Sequence, residues 1–202
     1  MPRPTKEQID EEILDAAAAL FARHGLEQTS VQRIADAVGY SKTGLLHRFP
    51  TKEAIAEATI THTVEHFEAV AGTVAGTPPG ADRDRRVLTA LATLAADRPG
   101  LVSFMLTSIS RGVLAGERLD VIGEVLFRAF GAVLPAPGTT PTSEEVTRAV
   151  RITSAVGGLA VASLAFCEAP DTDLRALSGD LLAAALGALG HRRDATPHET
   201  ED

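Results

Sequence analysis

TSVQRIADAVGYSKTGLLHRFPTK, residues 29–52, reads as two short helices joined by a tight turn. Thr29 stands where it can cap the first, with Gln32 at its capping-box position, and Val31, Ile34, Ala35 and Val38 make one apolar stripe. Gly39 ends that helix, because glycine takes the left-handed backbone just past a helix end without a Cβ penalty. Two residues later, Ser41 is placed to cap a second helix beginning at Lys42. Pro50 lacks an N–H and disfavours helical backbone at Phe49, so the second helix is short, and Leu45, Leu46 and Phe49 are its only large apolar anchors. Two short helices around a glycine turn make a helix-turn-helix, whose second helix has the size of a DNA major groove.

The charge pattern bears on the same point. The whole chain of 202 residues carries a net charge of −8, which by itself argues against a polyanionic partner. Within residues 30–52, however, Arg33, Lys42, Arg48 and Lys52 face a single acid, Asp36. Upstream, Thr5 and Gln8 form another capping box, and Ile9, Ile13, Ala17, Leu20 and Phe21 recur at helical spacing as far as Gly25. The acids Glu7, Asp10, Glu11, Glu12 and Asp15 suit the N-terminal end of that helix and are expected to face away from DNA. Downstream, Thr51 caps a long helix with Lys52 in its first turn and Ile60, Val64, Phe67, Ala71 and Val74 along one face.

Residues 20–55, LFARHGLEQTSVQRIADAVGYSKTGLLHRFPTKEAI, resemble the TetR family of one-component transcriptional regulators. The resemblance lies in the order: a long amphipathic helix, a glycine, a Thr/Ser pair, a short helix, Gly-aromatic-Ser, a second short helix, then Phe-Pro-Thr-Lys-Glu. It covers about the first quarter of the chain. Two positions depart from the family, which often has Tyr where Leu46 stands and His or Tyr where Arg48 stands.

The resemblance implies an all-α fold with an N-terminal three-helix DNA-binding domain over residues 1–50. A larger C-terminal helical ligand-binding and dimerisation domain would occupy 51–190, with 51–75 as the linking helix, followed by a disordered tail over 191–202. DNA contacts would fall on Thr29, Ser30, Arg33, Tyr40, Ser41, Lys42, Thr43, Gly44, His47 and Lys52, with a phosphate contact from Arg48 in place of the missing aromatic. Hydroxyls, helix N-termini and Lys52 suit phosphate oxygens, Lys42, Thr43 and His47 are placed for base edges, and Gly44 permits close approach of the backbone. Arg3, on the arm of residues 1–4, would reach the adjacent minor groove or phosphates, although an untethered terminus is the commoner fate of such an arm.

The remainder of the chain reads as helices. Residues 72–80 are a loop or fraying end, 82–97 return to helix, Pro99-Gly100 breaks it, and 101–111 continue. A turn over 112–117 leads to a helix over 119–134 with Ile122, Leu126, Phe127, Phe130 and Val133 in phase, then a linker over 135–142. Ser143 starts a helix that is apolar round most of its circumference as far as Cys167, and another follows Asp173. These last two helices resemble the family's dimer interface, a four-helix bundle with the symmetry mate. Phe67, Phe104, Met105, Ser108, Phe127 and Phe130 are candidate lining for a small apolar or amphipathic effector, with Thr107 and Arg111 as polar handles, although core packing is the commoner fate of such residues.

One cysteine excludes an intramolecular disulfide framework, and no Cys/His cluster has the spacing of a zinc site. Cys167 reads as a small buried hydrophobe beside Glu168, and His62 and His66, four apart, as packed or surface histidines, so neither a metal nor a cofactor is expected. No leader and no membrane-length apolar run is present, which reads as cytoplasmic. No nucleophile–base pair, carboxylate pair or phosphate loop stands out, so the chain is not expected to be an enzyme. An all-helical small-molecule binding protein or enzyme remains the alternative, and it leaves the helix-turn-helix unexplained. The expectation is a homodimeric regulator, more often a repressor, that holds a palindromic operator in double-stranded DNA and lets go when a small molecule binds.

Overall fold

The computed structural model describes residues 5–111, 117–133, 138–167 and 174–191, and among them all regular structure is helical. In chain order the helices are α1 (Lys6–His24), α2 (Val31–Ala37), α3 (Lys42–Arg48), α4 (Lys52–Gly72), α5 (Ala81–Asp97), α6 (Pro99–Arg111), α7 (Glu117–Ala129), α8 (Ser143–Cys167) and α9 (Leu174–Ala188). The Thr5–Gln8 capping box forms at α1, and Thr51 accepts from the Ala54 N–H at α4. Ser143 opens α8 as expected, with Thr142 capping it in a reciprocal pair with Glu145. Two signals act differently from their reading in sequence. Ser30 rather than Thr29 caps α2. Pro99 ends α5 but also opens α6, where its missing N–H falls among groups that have no intrahelical partner anyway. The N-terminal arm, most of the 112–117 turn, the tail beyond residue 191 and the side chains of Ser108, Arg111 and Cys167 lie outside the described residues.

Two apolar cores organise the chain. The first gathers Ile13, Ala17, Phe21, Ile34, Leu45 and Ile55 from α1 to α4, and it draws in Leu101 and Phe104 from α6. The second gathers Phe67, Val70, Leu88, Leu91, Met105, Phe127, Phe130, Ile152 and Leu159, among others, from α4 to α9. α6 therefore serves both, since Leu101 and Phe104 pack into the first while Val102 and Met105 pack into the second. Phe104 meets Phe21 with ring centroids 6.4 Å apart.

The inner face of α4 is the expected one only in part, with Phe67, and Val74 just past the helix end, buried as expected. It runs through Ile55, Thr59, Thr63, Phe67 and Val70, while Ile60, Val64 and Ala71 sit half-buried at its margin. Ranking positions by hydropathy passes over the two threonines. Their hydroxyls donate back to the carbonyls of Ile55 (2.8 Å) and Thr59 (2.7 Å), so each is buried with its donor satisfied. Val133, expected in phase with α7, lies past its end and is exposed, because Gly131 at φ 67° has already closed the helix.

In the body, Asp84 of α5 is fully buried and accepts from both terminal nitrogens of Arg148 (2.9 and 2.7 Å). His191 Nε2 lies 2.7 Å from the same carboxylate, which ties the N-terminal end of α5 to α8 and to the residues after α9. A buried carboxylate tolerates such a place only when its oxygens are filled in this way.

Candidate nucleic-acid interface

The turn between α2 and α3 is built by backbone chemistry. Gly39 adopts φ 69°, its N–H reaches the Asp36 carbonyl (3.3 Å), and the Tyr40 N–H reaches the Ala35 carbonyl (2.8 Å). This pair of bonds closes α2 and turns the chain within two residues. Ser41 then caps α3, accepting from the Gly44 N–H at 3.0 Å. α3 is fixed from behind by Leu45, which is fully buried in the first core, with Leu46 and Phe49 half-buried beside it.

That anchoring leaves Ser41, Lys42, Thr43 and His47 exposed together on the opposite face of α3. Ser30 and Arg33 are exposed at the start of α2, with Ser30 accepting from the Arg33 N–H (3.2 Å). Tyr40 and Gly44 are half-buried and in contact: a Cβ on Gly44 would stand 3.8 Å from the Tyr40 ring and 3.2 Å from Ser41 Oγ. The absent side chain thus keeps room for both the Ser41 cap and the tyrosine.

Three expected contact residues are otherwise engaged. Thr29 is 1% exposed, and its hydroxyl donates to the carbonyls of Gly25 (2.8 Å) and Leu20 (3.3 Å), so it locks the end of α1 and presents nothing outward. Arg48 is not a free phosphate ligand, because it forms an ion pair with Asp10 of α1 and bonds the Lys6 carbonyl. Lys52 donates to the carbonyls of Leu26 (3.2 Å) and Glu27 (3.4 Å), pinning the start of α4 to the loop after α1. Asp10, expected to do no more than suit a helix dipole, is the partner of Arg48.

Two further acids of α1 reach the body. Asp15 Oδ1 accepts from the Leu101 N–H at 3.0 Å and so caps α6 from a different helix, while Glu11 pairs with Arg98 at the end of α5. Burial pushes the Asp15 carboxyl above its ordinary value, and the N–H groups of Leu101 and Gly100 pull the other way. α1 and α6 cross so closely that a Cβ on Gly100 would collide with the Asp15 carbonyl group, 2.8 Å from its carbon. Sequence reading missed all three links, since a pairing 38 or more positions away leaves no local spacing to read.

The candidate effector residues are distributed unlike a pocket. Phe67, Met105, Phe127 and Phe130 are packed inside the second core, and Phe104 belongs to the first. Thr107 is half-buried. The described cavities lie elsewhere: about 590 Å³ along α1 and α6, with Ala16, Ala19, Leu20 and Ser103 on its walls, and about 710 Å³ between α4 and α5. Among the described residues no group of three or more His, Cys, Asp or Glu could hold a metal, and no helix is long and apolar enough to cross a membrane.

Comparison with known proteins places this geometry. Residues 13–59 match the sequence model of the family described as bacterial regulatory proteins, tetR family. Over 46 residues the chain is 48% identical to the HTH-type transcriptional repressor KstR2 of Rhodococcus jostii, a match covering 23% of this chain and 22% of that one. The likeness in sequence thus spans about a fifth of the curated relative. Along nearly the whole length the fold resembles a TetR-like transcriptional regulator from Rhodococcus sp. RHA1 (TM-score 0.56, 19% identity, 94% of this chain and 100% of that one). It also resembles AibR, solved in complex with isovaleryl coenzyme A and operator DNA (TM-score 0.57, 22% identity, 92% and 100%).

Proposed function

We propose that this chain, which belongs to the TetR family of bacterial regulatory proteins, is a homodimeric repressor that reads a palindromic operator through α3 and releases it when a small apolar or amphipathic molecule binds the body. The observation that carries this reading is the outward set of Lys42, Thr43 and His47 on a helix capped by Ser41 and held from behind by Leu45. Lys42 and His47 supply donors at base edges, while Ser30, Arg33, Tyr40 and Ser41 suit phosphate oxygens on either side. Lys52 adds positive charge near the backbone while its carbonyl contacts fix the approach of α4. In this reading residues 1–50 form the reading head and 51–190 the body.

Each head is small, so affinity comes from two heads held at a fixed separation. α8 supports that assembly. Val150, Ser154, Gly158, Val161 and Ala165 recur at helical spacing and are all exposed, with Val150 and Val161 at 58% and 57%. On α9, Gly179, Ala184, Gly187 and Ala188 are exposed as well. Apolar surface of this extent is stabilised by covering it with a second copy.

Release follows from α6. An effector entering among Phe67, Met105, Phe127 and Phe130 must part a packed core, and α6, which holds Met105, also holds Leu101 and Phe104 in the core of the head. A ligand that favours the parted arrangement thereby shifts the heads away from operator spacing. Fluorescence anisotropy with the duplex upstream of the protein's own gene tests the reading. Discrimination against random duplex at matched salt, lost in Lys42→Ala and His47→Ala, is the expected result; equal affinity for both duplexes would overturn it.

A further inference from the structure

His62 and His66 stand one turn apart on α4, and their rings meet edge to face with centroids 4.5 Å apart. Their Nε2 atoms face each other at 3.2 Å. Two imidazole nitrogens this close either share one proton, with an N–H donating to the other's lone pair, or share a Lewis acid. Two nitrogens bound at the usual zinc–imidazole distance to one tetrahedral ion stand about 3.3 Å apart, so the pair is already spaced as two ligands of one ion.

The surroundings favour the ligating form. Glu65 Oε2 lies 3.9 Å from His62 Nδ1, at the ring nitrogen turned away from His66. At that distance the carboxylate makes no hydrogen bond, and it adds negative charge beside the pair, which favours a bound cation. Burial, the largest cause, holds His62 below the ordinary imidazole value, with the nearby charges of Glu11 and Glu65 opposing it. His66 opens on the groove of about 710 Å³ between α4 and α5, whose walls also carry Glu11 and Asp97, so an ion has a route to the pair and carboxylates beside it.

We propose that His62 and His66 form an open site for one divalent transition-metal ion of the zinc, nickel or copper type, its remaining positions filled by water. No third His, Cys, Asp or Glu is placed to close the site among the described residues, which makes it an exchangeable site rather than a structural one. A dication there stands near Glu11 and competes for it with Arg98, so occupancy acts on the ion pair that joins α1 to α5.

Calorimetric titration of the untagged full chain with Ni²⁺ and Zn²⁺ tests the site, alongside His62→Ala, His66→Ala and His24→Ala. One ion per chain is expected, with affinity at least about tenfold weaker in either α4 variant and unchanged in His24→Ala. Absence of binding to the wild-type chain at about millimolar ion, or equal binding by both α4 variants, would overturn the proposal. Should an alanine variant fail to fold, nitrogen NMR of the wild-type histidines decides the matter: Ni²⁺ should first broaden the Nε2 signals of two of the six histidines, assigned to His62 and His66, and broadening at other histidines instead would sink it.

Discussion

At the level of single residues the reading head separates side chains that face outward from side chains that hold the head together. Lys42 and His47 are exposed and serve no described fold contact, so their alanine variants should melt like the wild type. Each should narrow the difference in free energy between operator and random duplex by about 1–3 kcal/mol, read by anisotropy. Arg48 behaves in the opposite way. Because it is paired with Asp10, Arg48→Ala and Asp10→Ala should both lower stability, and a double-mutant cycle in urea should return a coupling of about 0.2–1 kcal/mol for this half-exposed pair. Zero coupling would show that the pair does not help hold α1 against α3. The bounds of α3 were legible in the chain, since capping, glycine and proline signals fix where it begins and ends, whereas the outward set was named only through the family resemblance. The roles of Thr29 and Arg48 were not legible, because their partners lie on α1 and its following turn, brought close only by the fold.

Among the helices, α6 is the element whose role no local pattern announced. Its phase was readable, but the division of its residues between two cores depends on where α1 lies. Asp15 and Gly100 fix that crossing. Asp15→Ala leaves two N–H groups at the start of α6 without an acceptor and should cost about 1–2 kcal/mol by thermal or urea unfolding, whereas Asp15→Asn keeps an acceptor oxygen and should cost less. The pH dependence distinguishes them further. Burial raises the folded-state value of Asp15, so its stabilising contribution is fully present below the unfolded value, about 3.9, and is lost as pH rises through the folded one. Wild type should therefore gain stability relative to Asp15→Asn as pH is lowered from 7 toward 4. Gly100→Ala has no room for its methyl group against the Asp15 backbone and should force α1 and α6 apart; a melting temperature and operator affinity equal to wild type would contradict that crossing.

For the molecule as a whole, the proposed function has an acidic chain acquire DNA affinity by presenting two basic heads from one dimer. The exposed valines of α8 mark the surface that this proposal covers with a second copy. Val161→Glu places charge in that surface and should yield a folded monomer by light scattering, with operator affinity reduced by roughly a hundredfold or more because the second head is no longer tethered. The all-helical plan was readable from periodicity, whereas the division into head, linking helix and body came from the family resemblance and belongs to the proposal. The packing of the body was not readable, since an aromatic at helical spacing looks the same in a core and in a pocket, and here Phe67, Phe127 and Phe130 are core. Selection of bound duplexes from a randomised pool, using the wild-type chain, tests sequence reading by paired α3 helices most directly, because it requires no knowledge of the operator. The expected result is enrichment of one inverted repeat whose half-sites degenerate when Lys42→Ala or His47→Ala is used; a pool that stays random, or a motif unchanged in both variants, would contradict reading through α3.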